Sequence, residues 1–387
     1  MPHSLNNKLN CFLAATISFT IGYSTLIFML PLYLARLGAS QTQIGFLRAI
    51  YTLPSFLIPI LAGKLSDKYG RIPLILTAQI GFTLVIPFFP MTQEIFQVIL
   101  IRVTQGFFEA MWWVSIEVQI ADMATPEYRG TVLGRYNASW ATGFLLGPFI
   151  AGYLLEQYGY TRTFYFAAII MISLIPLILF GAQKPLSSPI QGIHDDHTED
   201  ITADPSNIPY LLPSWITSGT CGGILGIVFG LYPVYAETLH ISVFQIGAIL
   251  LGYGAARIFA FLIANYFMNR LGNRPVMLGG LIFVMSSVLL GLSTNIIVHI
   301  LVLGLIGMGL GFSYTAALTI SSQAPPSLRG KALGKFEVAF SIGLAGMSQI
   351  GGISADWFGL NTPYIICGVF VAIIFLCLLG FYKYTLK

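Results

Sequence analysis

The run RVTQGFFEAMWWVSIE places three full charges, Arg102, Glu109 and Glu117, inside a stretch that is otherwise largely apolar from Ile95 to Ile120. In a dry setting, a guanidinium beside a carboxylate suits one kind of chemistry. The carboxylate takes and releases a proton, and the cation sets how tightly that proton is held. At about 100° per residue, Arg102, Glu109 and Trp113 fall within ~40° of one another on a helix, with Gly106 and Glu117 just beside them. Ile101, Val103, Phe107, Phe108 and Met111 occupy the other side. Each charge would cost about 2.5–3.5 kcal/mol at the centre of a membrane span. The polar stripe is therefore expected to face a wet cavity and the greasy stripe to face lipid.

The composition requires a membrane around this helix. Of 387 residues, 56% are apolar and only 9% charged, against about 25% charged in soluble domains. Apolar runs longer than about 18 residues recur along the chain, so the spans are helices rather than barrel strands. Helices of about 20–25 residues with short loops give twelve transmembrane helices, an all-α membrane protein. The first run, Leu9 to Ala35, is too long for a signal-peptide core and becomes span 1. The second is expected as one helix over Ile44–Ala62.

The net charge of +4 does not point to nucleic acid, because the basic residues sort by membrane side. Lys8, Lys64, Lys68, Arg71, Arg129, Arg135, Lys184, Arg270, Arg274, Arg329, Lys331, Lys335, Lys383 and Lys387 share one side. Arg36 and Arg162 lie on the other, and Arg48, Arg102 and Arg257 lie within spans. By the positive-inside rule both termini are cytoplasmic. Cys11, Cys221, Cys367 and Cys377 lie far apart in apolar runs, with no metal or redox spacing. Neither a metal nor a cofactor is expected. No nucleotide-binding fingerprint is present, so an ion gradient or the substrate's own gradient must supply the driving force.

The chain repeats itself. Pro31-Leu-Tyr33 recurs as Pro233-Val-Tyr235, Gln43-Ile44-Gly45 as Gln245-Ile246-Gly247, and Gly70 with Pro73 as Gly272 with Pro275, all offset by 202. Gly143 and Gly159 recur as Gly343 and Gly359, offset by 200. This implies two pseudo-symmetric six-helix bundles, residues 1–182 and 210–387, with a substrate site between them. Residues 183–209 form a cytoplasmic linker whose HDDHTED segment suits a solvated tether. At offset 200, Arg102, Gln105 and Glu109 become Val302, Leu305 and Gly309, so ionisable chemistry concentrates in the first bundle. The second offers Trp215, Tyr232 and Tyr314, with one deep charge, Arg257. Together with Tyr23, Gln105 and Trp113 these are the candidate substrate-cavity residues.

Three motifs resemble those of the major facilitator superfamily. GKLSDKYGR matches its loop signature G-x-x-x-D-x-x-G-R at Gly63, Asp67, Gly70 and Arg71. Arg102-x-x-Gln105-Gly106 resembles the helix-4 motif of proton-coupled members. GRYNASWATGFLLGPFIAG resembles the antiporter signature G-x(8)-G-x(3)-G-P-x(2)-G-G at Gly134, Gly143, Gly147, Pro148 and Gly152, departing at Ala151. The resemblance implies a transporter of the proton-coupled drug and small-molecule antiporter type, not an enzyme, acting by alternating access. It implies a cytoplasmic gate of Gly63, Asp67, Gly70, Arg71 and Asp122. Proton coupling is expected at Arg102, Glu109 and Glu117. Its partners are a small-molecule substrate, protons and the lipid bilayer, and it is expected as a monomer in a bacterial cytoplasmic membrane. Proton-coupled export is the first expectation, and proton-coupled or facilitated uptake of a nutrient, metabolite or metal chelate the alternative.

Overall fold

The computed structural model describes residues 3–52, 54–123, 128–182 and 208–385, and among these it is helical with short turns. Span 1 is α1 (His3–Arg36). Span 2 is covered by α2 (Gln41–Thr52) and α3 (Pro54–Tyr69), which flank position 53, outside the described residues, and together take in the expected stretch Ile44–Ala62. Span 3 is α4 (Arg71–Leu84) with a 3-10 turn, Ile86–Met91, and span 4 is α5 (Ile95–Asp122). A capping box closes the start of α5, Glu94 accepting from the backbone and Gln97 returning the bond. Spans 5 and 6 are merged in α6 (Arg129–Ile172), which turns at Gly159 (φ 74°, ψ 178°) and continues into α7 (Ile175–Ala182).

The second set follows the same plan. It runs α8 (Leu212–Gly230) with α9 (Tyr232–Thr238), α10 (Val243–Leu271), and α11 (Asn273–Met285) with α12 (Ser287–Leu292). It then continues through α13 (Ile296–Ser322), α14 (Pro326–Phe358) and α15 (Thr362–Thr385). Among the described residues, nine helical stretches are long and apolar enough to cross a bilayer, and one of them, Thr131–Ala182, holds two spans. The two spans outside that set are α2–α3, which flank the undescribed position 53, and α5, which carries the three charges. The count of twelve is thus reached.

The repeat is visible in the backbone. The positive-φ residues among those described fall into three pairs: Gly38 with His240, Gly70 with Gly272, and Gly159 with Gly359. Gly70 (φ 89°, ψ 161°) and Gly272 (φ 88°, ψ 162°) open their helices in the same conformation, one that side chains avoid. Side-chain joints repeat as well. Tyr33 donates its hydroxyl to the Phe89 carbonyl at 2.8 Å, and Tyr235 donates to that of Leu290 at 3.2 Å.

Backbone contacts divide the chain into two compact units. One comprises Met1–Tyr33 with Ile50–His197, the other Leu34–Ala49 with Thr198–Lys387. Residues 34–49 thus pack with the second unit, although the sequence groups them with the first six spans. Asp356, near the end of α14, explains the attachment: its two carboxylate oxygens accept the backbone N–H of Gln41 (2.9 Å) and Thr42 (2.8 Å). An ionised carboxylate at a helix N-terminus makes strong, charge-assisted bonds.

Within the first unit, α6 lies directly on α1. A Cβ at Gly143 would fall on Thr20 Oγ1 and one at Gly147 on Ser24 Oγ, while the Ser24 hydroxyl donates to the Gly143 carbonyl at 2.9 Å. Pro148 and Gly152 are buried on the same helix, whereas nothing lies within 4 Å of a Cβ at Gly134. In the second unit Gly343 meets Gly219 in the same way. Close approach through small residues is how helices pack without a hydrophobic drive between them. Gly143→Ala should therefore lose about 1–3 kcal/mol of stability through overpacking, read by thermal unfolding in detergent. Gly134→Ala should leave stability unchanged or raise it; equal losses at both positions would contradict the close packing.

Candidate functional site

The charged stripe of α5 turns inward. Arg102 is 2% exposed, Gln105 0% and Glu109 8%, while Phe96, Leu100, Val103 and Phe107 are exposed on the opposite side. The greasy side is narrower than the sequence suggested. Met111 is buried, and Phe108 packs where a Cβ on Gly81 of α4 would sit. Gly106 lies on the polar stripe and meets the Tyr51 carbonyl of α2, which brings α5 close to the end of that helix.

That closeness positions the charges. The Arg102 guanidinium carbon lies 3.7 Å from the centre of the Tyr51 ring, and its Nη1 donates to Gln105 Oε1 at 2.8 Å. Stacking of this kind is worth about 0.5–2 kcal/mol, more when desolvated. Glu109 accepts a 2.6 Å hydrogen bond from Trp113 Nε1. Around them stands an aromatic wall. Phe19 stacks on Trp112 at 3.8 Å, and Tyr23 meets Trp113 edge-on at 6.4 Å and Phe144 at 5.6 Å. Tyr51 lies 6.4 Å from Tyr23 and within electrostatic reach of both Arg102 and Glu109. The structure thus gathers Tyr23, Arg102, Gln105, Glu109 and Trp113 into one cluster, and adds Tyr51, which sequence reasoning missed. Glu117 stands apart. It is exposed, eight residues or roughly 12 Å further along α5, near Tyr136.

The corresponding position in the second unit is apolar. A Cβ at Gly307 would meet the Tyr253 carbonyl as Gly106 meets that of Tyr51, which sets the helix-4 to helix-10 offset at 201 rather than 200. Arg102, Gln105 and Glu109 therefore correspond to Leu303, Ile306 and Leu310, each fully buried, and not to Val302, Leu305 and Gly309.

The expected cavity residues of the second unit do not converge on one point. Trp215, at the start of α8, donates Nε1 to the Ala332 carbonyl at 3.0 Å, with Lys335 Nζ 5.4 Å from its ring. Tyr232, 17 residues and roughly 25 Å further on, is buried with its hydroxyl 3.2 Å from His299 Nδ1. His299 Nε2 lies 2.8 Å from the Ser293 carbonyl. A carbonyl only accepts, so Nε2 carries the proton and Nδ1 accepts from Tyr232. Arg257 and Tyr314 do share surroundings: the Arg257 guanidinium lies 5.2 Å from the Phe261 ring, and Phe261 lies 6.5 Å from Tyr314. Tyr314 in turn donates to Glu337 Oε1 of α14 at 3.2 Å. Glu337 went unnoticed because it follows Lys331 and Lys335 and reads as a loop charge. Its signal was its distance, roughly 16 Å, from the helix start.

At the α3–α4 turn, Arg71 Nε pairs with Asp122 Oδ2 at 3.4 Å and Nη1 donates to Ser66 Oγ at 2.7 Å. Gly70 makes the turn, while the surroundings of Gly63 and the side chain of Asp67 lie outside the described residues.

Twelve spans on a repeated plan, with a charge stripe buried on one of them, define a polytopic membrane transporter. The chain belongs to the major facilitator superfamily, whose family model matches residues 12–205 and 214–386. Among its relatives is a cis,cis-muconate transport protein of Acinetobacter baylyi, 23% identical over 88% of this chain and 86% of the relative. A multi-drug resistance efflux pump PmrA homolog of Lactococcus lactis is 24% identical over 99% of this chain and 98% of its own. In fold the chain resembles a bacterial homolog of the human lysosomal transporter Spinster (TM-score 0.83, 14% identity, 99% of this chain and 98% of that one).

Arg102 and Tyr51 should prove energetically coupled. A double-mutant cycle of Arg102→Lys and Tyr51→Leu, followed by thermal unfolding, should give about 0.5–2 kcal/mol of coupling. Lysine cannot reproduce the flat stacked contact. Additive losses would show the two groups to be independent.

Proposed function

We propose that this transporter exports a small organic molecule in exchange for protons by alternating access, with Glu109 as the proton site and Arg102 setting its affinity. The observation that carries this reading is the pair of enclosed charges on α5, held among aromatic rings and away from lipid. Burial favours a neutral carboxyl and a nearby guanidinium favours the carboxylate. When two such effects oppose each other, a modest change in hydration decides which form prevails. Glu117 then serves as a second carrier nearer the cytoplasm. Arg71 and Asp122, with Asp67, form the cytoplasmic gate. The exposed Arg71–Asp122 pair suits that role, since exposed ion pairs contribute only about 0–1 kcal/mol and open readily. Both termini face the cytoplasm and a single chain suffices.

Export is supported by the resemblance of the helix-5 glycines to the antiporter signature and by the multidrug efflux relative. A second reading is proton-coupled uptake of an organic anion. It is favoured by the relative named for cis,cis-muconate and by two cations within spans, the buried Arg102 in the first unit and Arg257 in the second.

The test uses membrane vesicles of both orientations, an imposed proton gradient, and two probes, ethidium and cis,cis-muconate. Export predicts ethidium accumulation in inside-out vesicles acidified within, and its loss by about tenfold or more in Glu109→Gln. Gradient-independent exchange should survive that substitution. Undiminished uphill movement in Glu109→Gln would remove this residue from coupling. Muconate accumulation in right-side-out vesicles would favour uptake instead.

A further inference from the structure

A second carboxylate sits at membrane depth in the second unit, and neither the helix-4 motif nor the gate accounts for it. Glu337 lies about 16 Å from the start of α14, on a helix packed against α8 through Ser218, whose hydroxyl donates to the Phe336 carbonyl at 2.8 Å. A carboxylate so placed is costly and marks a function by default. Glu337 is nonetheless exposed, and its Oε1 accepts from Tyr314 of α13 rather than pointing along the side where Val338 and Ile342 are exposed.

Its surroundings are aromatic. Tyr314 meets Phe336 at 5.3 Å, Phe340 at 5.7 Å and Phe261 at 6.5 Å. The charges facing this hydroxyl from the neighbouring helices are Arg257 on α10 and Glu337 itself, with the Cys221 thiol on α8. Arg257 offsets the cost of keeping a negative charge here. Its planar cation lies near the Phe261 ring on α10, while Glu337 keeps an exposed side chain.

The geometry points to Glu337 as a specificity-determining residue that receives the positive charge of a lipophilic organic cation, whose apolar body lies against Phe336, Phe340 and Tyr314. Ring faces attract a cation, and a carboxylate among them adds a full opposite charge. A permanently charged cation needs no hydrogen bond, so the Tyr314 hydroxyl can keep its place. This inference rests on the proposed export of a small organic molecule and names its chemical class.

A pair of probes of nearly one shape and opposite charge tests it. The purified, full-length protein in detergent is titrated with tetraphenylphosphonium and, separately, with tetraphenylborate, followed by tryptophan fluorescence and thermal stabilisation. The wild type should bind the phosphonium and be stabilised by it. Glu337→Gln should weaken that binding by about tenfold or more, while Glu337→Asp keeps part of it and Tyr314→Phe most of it. Wild-type affinity in Glu337→Gln, equal or tighter binding of tetraphenylborate, or no binding of the phosphonium at all would each overturn the proposal. Should Glu337→Gln fail to fold, the Glu337→Asp and Tyr314→Phe pair decides: a loss in Tyr314→Phe with none in Glu337→Asp also overturns it. Gradient-driven ethidium export by the unaltered protein separates the two readings, since its absence beside phosphonium binding that depends on Glu337 would remove the export reading alone.

Discussion

The cost of an ion in hydrocarbon organises the first unit. Three charges on α5 forbid that helix a purely lipid-facing position, and two of them require partners that neither clash nor flood the helix with water. The Tyr51 ring supplies a flat, polarisable surface for the Arg102 guanidinium at 3.7 Å, and the Trp113 indole supplies a donor for Glu109. Both solutions depend on backbone closeness. Without the bare Cα at Gly106, α5 could not come near enough to α2 for the ring to cover the cation. The aromatic residues of α1, Phe19 and Tyr23, then fill the remaining wall without adding charge.

Repetition separates the scaffold from the chemistry. The same joints occur twice: a tyrosine carbonyl over a glycine, a tyrosine hydroxyl closing a turn, a left-handed residue before a helix. What fills the equivalent positions differs. Arg102, Gln105 and Glu109 face Tyr51, while Leu303, Ile306 and Leu310 occupy the matching face in the second unit. There the ionic groups arise instead from α10 and α14, as Arg257 and Glu337. A duplicated frame therefore carries two unlike clusters, and each can change without disturbing the joints that position it.

Much of this was legible because it is written in local periodicity. The α5 stripe follows from residue spacing alone, and the twelve spans follow from apolar length. The paired turns follow from an offset that can be counted. The missing parts are those fixed by partners distant in sequence. Nothing near Arg102 announces that its ring partner is Tyr51, some fifty positions earlier. Glu337 was hidden by Lys331 and Lys335, which make its neighbourhood look like a loop. The one-residue slip in matching helix 4 to helix 10 arose because apolar helices tolerate any register, and only the contact of Gly307 with Tyr253 fixes it.

The joint between Asp356 and the first turn of α2 has an unequal sensitivity to change. The carboxylate grips the main-chain amides of Gln41 and Thr42, with the Thr42 and Ser40 side chains as further partners. Every amino acid except proline presents the same amide, so substitutions at 41 leave that grip intact and those at 42 keep its main-chain part. At position 356 only a second carboxylate of the right reach can replace the first. Sequence drift in relatives should therefore run more freely along the opening of α2 than at its anchor.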